Sequence, residues 1–140
     1  MPDSPSRTIH PAGWAKPVGY ANAVAATGRQ VYIAGQVGWD PLTATFASDD
    51  FAAQTRQALA NVATVLRAAG AEPRHLVRLT WFVTSRAEYS AARHAIGVAY
   101  REILGPHYPA TSLVIVSALL EERAKVEIEA TAVVPEGDAT

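Results

Sequence analysis

Apolar and small residues recur at three- and four-residue spacing through residues 48–70, "SDDFAAQTRQALANVATVLRAAG". Phe51, Thr55, Ala58, Leu59, Val62, Leu66 and Ala69 fall on one stripe, which predicts an amphipathic helix with a single core-facing side. Ser48 or Asp49 can cap its start, acidic residues sit in its first turn, and Gly70 ends it. A second helix is expected over residues 87–104, with Tyr89, Ala92, Ile96, Tyr100 and Ile103 inward and Gly97 as a local weak point. The period shortens to two in "LVRLTWFVT", residues 76–84, a strand with Val77, Leu79, Trp81 and Val83 on one face. Two last strands, "SLVIVSAL" and "KVEIEATAVV", are joined by the charged turn "LEERA". Near the start, two short strands between residues 20 and 34 flank "ATGRQ", where Gly28 supplies a turn.

The resulting order, β-β-α-β-α-β-β, is an α+β arrangement whose simplest form is a sheet with both helices on one face. The opposite face would then carry Phe82, Leu113 and Val133 or their alternates, too apolar for open water. Burial against another copy is the economical solution, so a homo-oligomer is expected. Residues 1–17 hold four prolines and little periodicity and read as an irregular arm. Residues 18–135 form one domain and 136–140 a loose tail.

Composition narrows the partners. A chain of 140 residues that is 49% hydrophobic can build a real core, and a formal charge of -1 offers no basic track for nucleic acid. Cysteine is absent, which removes disulfides, a thiolate nucleophile and cysteine-held metals. The proline-rich start lacks a secretory apolar core, and the longest apolar run, residues 113–120, is far shorter than the roughly 20 residues of a membrane helix. A cytoplasmic protein with no membrane partner is the expectation.

Four stretches carry candidate chemistry. In "AGQVGWDP" two glycines let backbone N–H groups approach a ligand, or simply shape a tight strand exit. Trp39, just after them, is either packing or a pocket wall. In "KVEIEA", Glu127 and Glu129 share a strand face about 7 Å apart by strand rise. A partly desolvated carboxylate there could activate water, or could pair with Arg78 or another arginine. "YPATSLVIV" places Thr111 and Ser112 where a loop enters a strand, but without the glycine-flanked context of a serine nucleophile. The four histidines, His10, His75, His94 and His107, have no ligand spacing, so no metal is expected. Arg56, in "QTRQ", reads as an exposed helix-face cation.

Taken together, "YANAV", "VYIAGQVGWDP", "AQTRQALANVATVLRAAG", "LVRLTWFVT", "YPATS" and "KVEIEATAVV" resemble, in order and over about residues 17–135, the reactive-intermediate deaminase family, RidA or YjgF. The resemblance implies a chorismate-mutase-like fold and a homotrimer with a central barrel-like core and three small-molecule clefts between subunits. It also implies hydrolysis of enamines and imines such as 2-aminoacrylate to ketoacids and ammonia, with no cofactor. Carried over residue by residue, the family's tyrosine matches Tyr20, its cleft-lining glycine Gly35, and its water-holding glutamate Glu127. The arginine that grips the substrate carboxylate in active members falls at Thr111, and a frequent cysteine falls at Leu113. Arg93 lies where the family often has an asparagine near the cleft.

The threonine matters because a guanidinium gives a carboxylate two charge-assisted hydrogen bonds and a hydroxyl gives one neutral one. The difference is on the order of 2–4 kcal/mol in a poorly hydrated cleft. A deaminase-type hydrolase with an altered substrate is therefore expected, with Thr111 and Ser112 binding a neutral or differently placed polar group and Tyr20 and Trp39 as walls. A non-catalytic trimer that binds small molecules or a protein is the alternative, and ribonuclease activity a weaker one.

Overall fold

The computed structural model describes residues 6–137. Its elements run β1 (Ser6–Ile9), β2 (Ala23–Ala26), β3 (Arg29–Val37), α1 (Phe51–Ala68), a 3-10 turn at Pro73–His75, β4 (Leu76–Val83), α2 (Arg86–Ala91), α3 (Arg93–Leu104), β5 (Ala110–Ile115) and β6 (Val126–Val134). The main sheet has the order β3-β6-β4-β5. Its β3–β6 and β6–β4 pairs are antiparallel and β4–β5 is parallel, so α2 and α3 form the crossover that parallel pairing requires.

Alternation along β6 fixes the layers. Val126, Ile128, Ala130, Ala132 and Val134 are buried beneath the helices, while Glu127, Glu129, Thr131 and Val133 point away. The core side is completed by Leu79, Trp81 and Val83 of β4, by Phe51, Thr55, Ala58, Leu59, Val62 and Leu66 of the expected α1 stripe, and by Ile96, Ala99, Tyr100 and Leu104 of α3. The last member of that stripe, Ala69, is instead the half-buried C-cap. Fully buried leucines such as Leu59, Leu66 and Leu79 each contribute about 1.5–3 kcal/mol. The α+β expectation, a sheet with helices on one face, holds.

Several local expectations change. Ser6–Ile9, expected within the irregular arm, pairs antiparallel with β2 as a separate ribbon. Four residues carry too little period to announce a pairing made with a distant segment. Residues 1–5 of the arm and 138–140 of the tail lie outside the described residues. Across Gly28, β2 and β3 enter different sheets, and a Cβ at Gly28 would overlap the Val134 carbonyl.

The second helix is broken at Ala92, not at Gly97. Alanine is the best helix former, so tertiary packing sets the break. It lets Tyr89 meet Phe51 edge-on, at 6.4 Å and 87°, while Ile96 and Tyr100 turn to the sheet. A register shift between Leu76 and Arg78 takes Val77 out of the buried row. Phe82 and Val133 lie on the outer face as expected, but Leu113 stands opposite Trp81 on the helix side.

The exit of β3 is tacked to α1. The buried Asn61 donates through Nδ2 to the carbonyls of Val37 (3.1 Å) and Trp39 (2.9 Å). A Cβ at Gly38 would overlap the Gln54 carbonyl, so this glycine exists for strand–helix contact.

Candidate functional site

Pro109 begins the assembly of the site. Its carbonyl accepts the Ala21 backbone N–H at 3.1 Å, and Ala21 bridges Ala110 in parallel. That bond brings Tyr20 beside Thr111 at the head of β5. Helix α3 crosses above, presenting Arg93, Gly97 and Arg101, and the space between is a cleft of about 710 Å³. Trp81 and Leu113, opposite each other on adjoining strands, form part of its lining.

The aromatic wall is fixed in place. Tyr100 and Tyr108 stack with centroids 5.1 Å apart and planes 9° from parallel. The Tyr100 hydroxyl donates to the His107 carbonyl at 2.6 Å, and burial, with Tyr108 adding to it, raises its pKa well above the usual tyrosine range. The Trp81 indole N–H is buried and, among the described residues, has no acceptor. Such a donor is a site that a ligand acceptor would satisfy.

Thr111 is occupied by its own loop. Its hydroxyl donates to the Pro109 carbonyl at 2.8 Å, leaving only lone pairs for a ligand. Those repel a carboxylate. The guanidinium of Arg93 stands 6.0 Å from the ring centre of Tyr89, and neither Arg93 nor Arg101 has an ion-pair partner among the described residues.

Gly35 and Glu127 form a second locus, on β3 and the outward side of β6. The half-buried Glu127 side chain covers Gly35, where a Cβ would come within 2.6 Å of Oε2. Its carboxylate has no hydrogen bond or ion pair among the described residues, with Arg78 or any other arginine included. The two glycines of "AGQVGWDP" thus divide their roles: Gly35 makes room for Glu127 and Gly38 for α1.

Of the residues singled out in the sequence, Tyr20, Arg93 and Thr111 meet in the cleft. Gly35 and Glu127 meet each other elsewhere. Ser112, one residue after Thr111, is exposed on the outer face opposite Thr80. Trp39 packs against Phe46 with centroids 5.8 Å apart and does not line the cleft. Sequence reasoning missed Arg101 and Trp81 as cleft residues. The signal for Arg101 was its place two turns after Arg93, with Gly97 between. Among the described residues no group of three His, Asp or Glu side chains is placed to hold a metal.

The family model described as Endoribonuclease L-PSP matches residues 14–134, nearly the whole described chain. The chain belongs to this family, the RidA/YjgF family. A solved Yersinia pestis structure, YyfB of the conserved Rid family, is 38% identical and covers 94% of this chain and 100% of its own, with a TM-score of 0.80. A Salmonella typhimurium protein called 2-iminobutanoate/2-iminopropanoate deaminase is 35% identical over 109 residues, 76% of this chain and 80% of that one. The human protein of the same name is 30% identical over 105 residues, 75% of this chain and 73% of that one. The Rid fold is therefore the fold of this chain, and the RidA assignment made from its motifs stands.

Proposed function

We propose that this Rid-family chain is an imine or enamine hydrolase whose site is completed by a neighbouring copy in a homotrimer, and whose substrate is not the usual short 2-imino acid. The observation that carries the reading is the separation of the two loci. Tyr20, Arg93 and Thr111 line a cleft on the helix side, while Gly35 and Glu127 lie on the opposite side of the sheet. One chain cannot bring them to one ligand. A second copy, docking its outer sheet face beside the cleft of the first, can.

The chemistry needs only water and proton movement. Water adds to the imine carbon as Glu127 accepts a proton from it, giving a carbinolamine. Proton return to nitrogen then lets the C–N bond break, and ammonia leaves as the carbonyl forms. No electron is gained or lost. Glu127, without a competing ion pair among the described residues, is the carboxylate available for that proton. Deaminase names among relatives 30–35% identical support the reaction class.

Thr111 argues for a changed substrate, since its hydroxyl already bonds Pro109. The same feature favours a second reading, a trimer that binds small molecules without turning them over. The two separate in one assay. A pyridoxal-phosphate dehydratase generates 2-iminobutanoate, and an amino-acid oxidase generates the imino acid of phenylalanine, each with and without this protein. Faster ketoacid formation from the larger imine supports the hydrolase; no acceleration of either, at high protein concentration, leaves the binding trimer.

A further inference from the structure

The structure assigns the anion grip of this cleft to the row Arg93–Gly97–Arg101 on α3, and its ligand to monocarboxylates with an aromatic or bulky branched body. The inference deepens the proposed function by naming a ligand class for the same cleft, and rests on that cleft being the ligand site. The three residues are four apart, so they form one line along the helix surface, with roughly 5–6 Å between successive Cβ positions. The middle position has no side chain. Arg101 bends back over it, its Nη1 lying 3.4 Å from where a Gly97 Cβ would be, and so points along the row towards Arg93.

Position rather than pairing sets the row apart: Arg67, Arg78 and Arg86 also have no carboxylate partner among the described residues, but they do not line the cleft. Arg56 is paired with Glu102 at 2.7 Å, and Arg123 with Asp49 at 2.9 Å. Arg93 and Arg101 line the cleft with no carboxylate partner among the described residues. Two uncompensated guanidiniums at the rim of a partly apolar cleft favour an anion, and each can hold a carboxylate with paired donors. Thr111, whose proton is committed to Pro109, adds nothing for an anion. The anion therefore binds on the helix rather than at the head of β5.

The body of the ligand follows from the remaining walls. Tyr100 stacked on Tyr108, with Leu113 behind, offers an aromatic and apolar surface. At about 710 Å³ the cleft lies within the roughly 300–1,000 Å³ of sites that take drug-sized ligands. A three- or four-carbon acid would leave most of that surface wet.

The test is binding of three probes to the full chain by calorimetry: 3-phenylpyruvate, pyruvate and 1-phenylpropan-2-one, which keeps the ring and ketone but lacks the carboxylate. Phenylpyruvate should bind at least about 10-fold tighter than either of the others. R93Q and R101Q should each weaken phenylpyruvate about 10-fold and leave the neutral ketone within about twofold, with R101K partly restoring affinity. Wild-type phenylpyruvate affinity should also fall with added NaCl, a readout that stands if a variant misfolds. Phenylpyruvate no tighter than pyruvate, arginine variants of unchanged affinity, or affinity indifferent to salt would each overturn the inference. Turnover is not read here. Arginine-dependent binding without hydrolysis would count against the catalytic reading alone.

Discussion

Glu127 covers Gly35 so closely that any side chain at residue 35 would collide with its carboxylate, Oε2 standing 2.6 Å from the Cβ position. Gly35 is not among the positive-φ residues, so alanine is tolerated by the backbone there and the conflict is with a movable side chain. Gly35→Ala should therefore change stability by less than about 1 kcal/mol, read from urea unfolding. Hydrolysis of the preferred imine should fall at least 10-fold, about 1.4 kcal/mol in barrier, because Glu127 is displaced.

Glu127→Gln tests the proton role separately from the shape. The amide fills the same space over Gly35 but cannot accept the proton from water. Turnover should drop by about 10²-fold, within the range for removing a general base, with phenylpyruvate affinity unchanged within about twofold. Equal losses in binding and turnover would make Glu127 a ligand contact instead.

Thr111→Arg should restore a two-pronged donor at the head of β5. Hydrolysis of 2-iminobutanoate should rise by about 10-fold or more in kcat/KM, since a charge-assisted pair replaces a hydroxyl bonded to Pro109. If the variant folds normally and stays inactive on this substrate, the missing arginine is not what limits the short imine.

Asn61 ties the glycine-rich exit of β3 to α1 through two backbone carbonyls, at 3.1 and 2.9 Å. Asn61→Ala removes both bonds, one at the buried Val37 carbonyl and one at the half-buried Trp39 carbonyl, and should cost about 1–3 kcal/mol in chemical unfolding. A cost under about 0.5 kcal/mol would mean that water or a neighbour replaces the bonds.

Tyr100 gives a pH dependence with a definite sign. Burial and Tyr108 raise its folded pKa, whereas in the unfolded chain it ionises near pH 10. Its contribution is fully present below about pH 10 and is lost progressively as the pH climbs towards the raised folded value. Urea midpoints measured at increasing alkaline pH should fall more steeply for wild type than for Tyr100→Phe. Parallel curves would contradict the assignment.

The layers were legible because β6 alternates strictly and α1 keeps one apolar stripe, both local patterns. The Ser6–Ile9 pairing and the break at Ala92 were not, because each depends on contacts far along the chain. The site was half legible. Tyr20, Thr111 and Arg93 could be placed from motif positions, and they do share a cleft. Trp39 looked like a wall from its neighbour glycines, but the loop turns it onto Phe46. Ser112 follows Thr111 in sequence and alternation sends it to the other face. Arg101 reaches the cleft by lying back across Gly97 towards Arg93, a relation between three residues that no single motif displays.

Cross-linking tests the shared site most directly. The chain has no cysteine, so introduced ones react alone. Thr111 and Glu127 lie on opposite faces of the sheet, and within one chain a link between them leaves the mass at one chain. The Thr111→Cys, Glu127→Cys double variant, treated with a short bifunctional maleimide, should run on a denaturing gel as linked species of two and three chains. Mixing the two single variants should link pairs of chains more efficiently than either variant alone. A double variant that is fully reacted yet migrates only as one 14.9 kDa chain would contradict a site completed by a second copy.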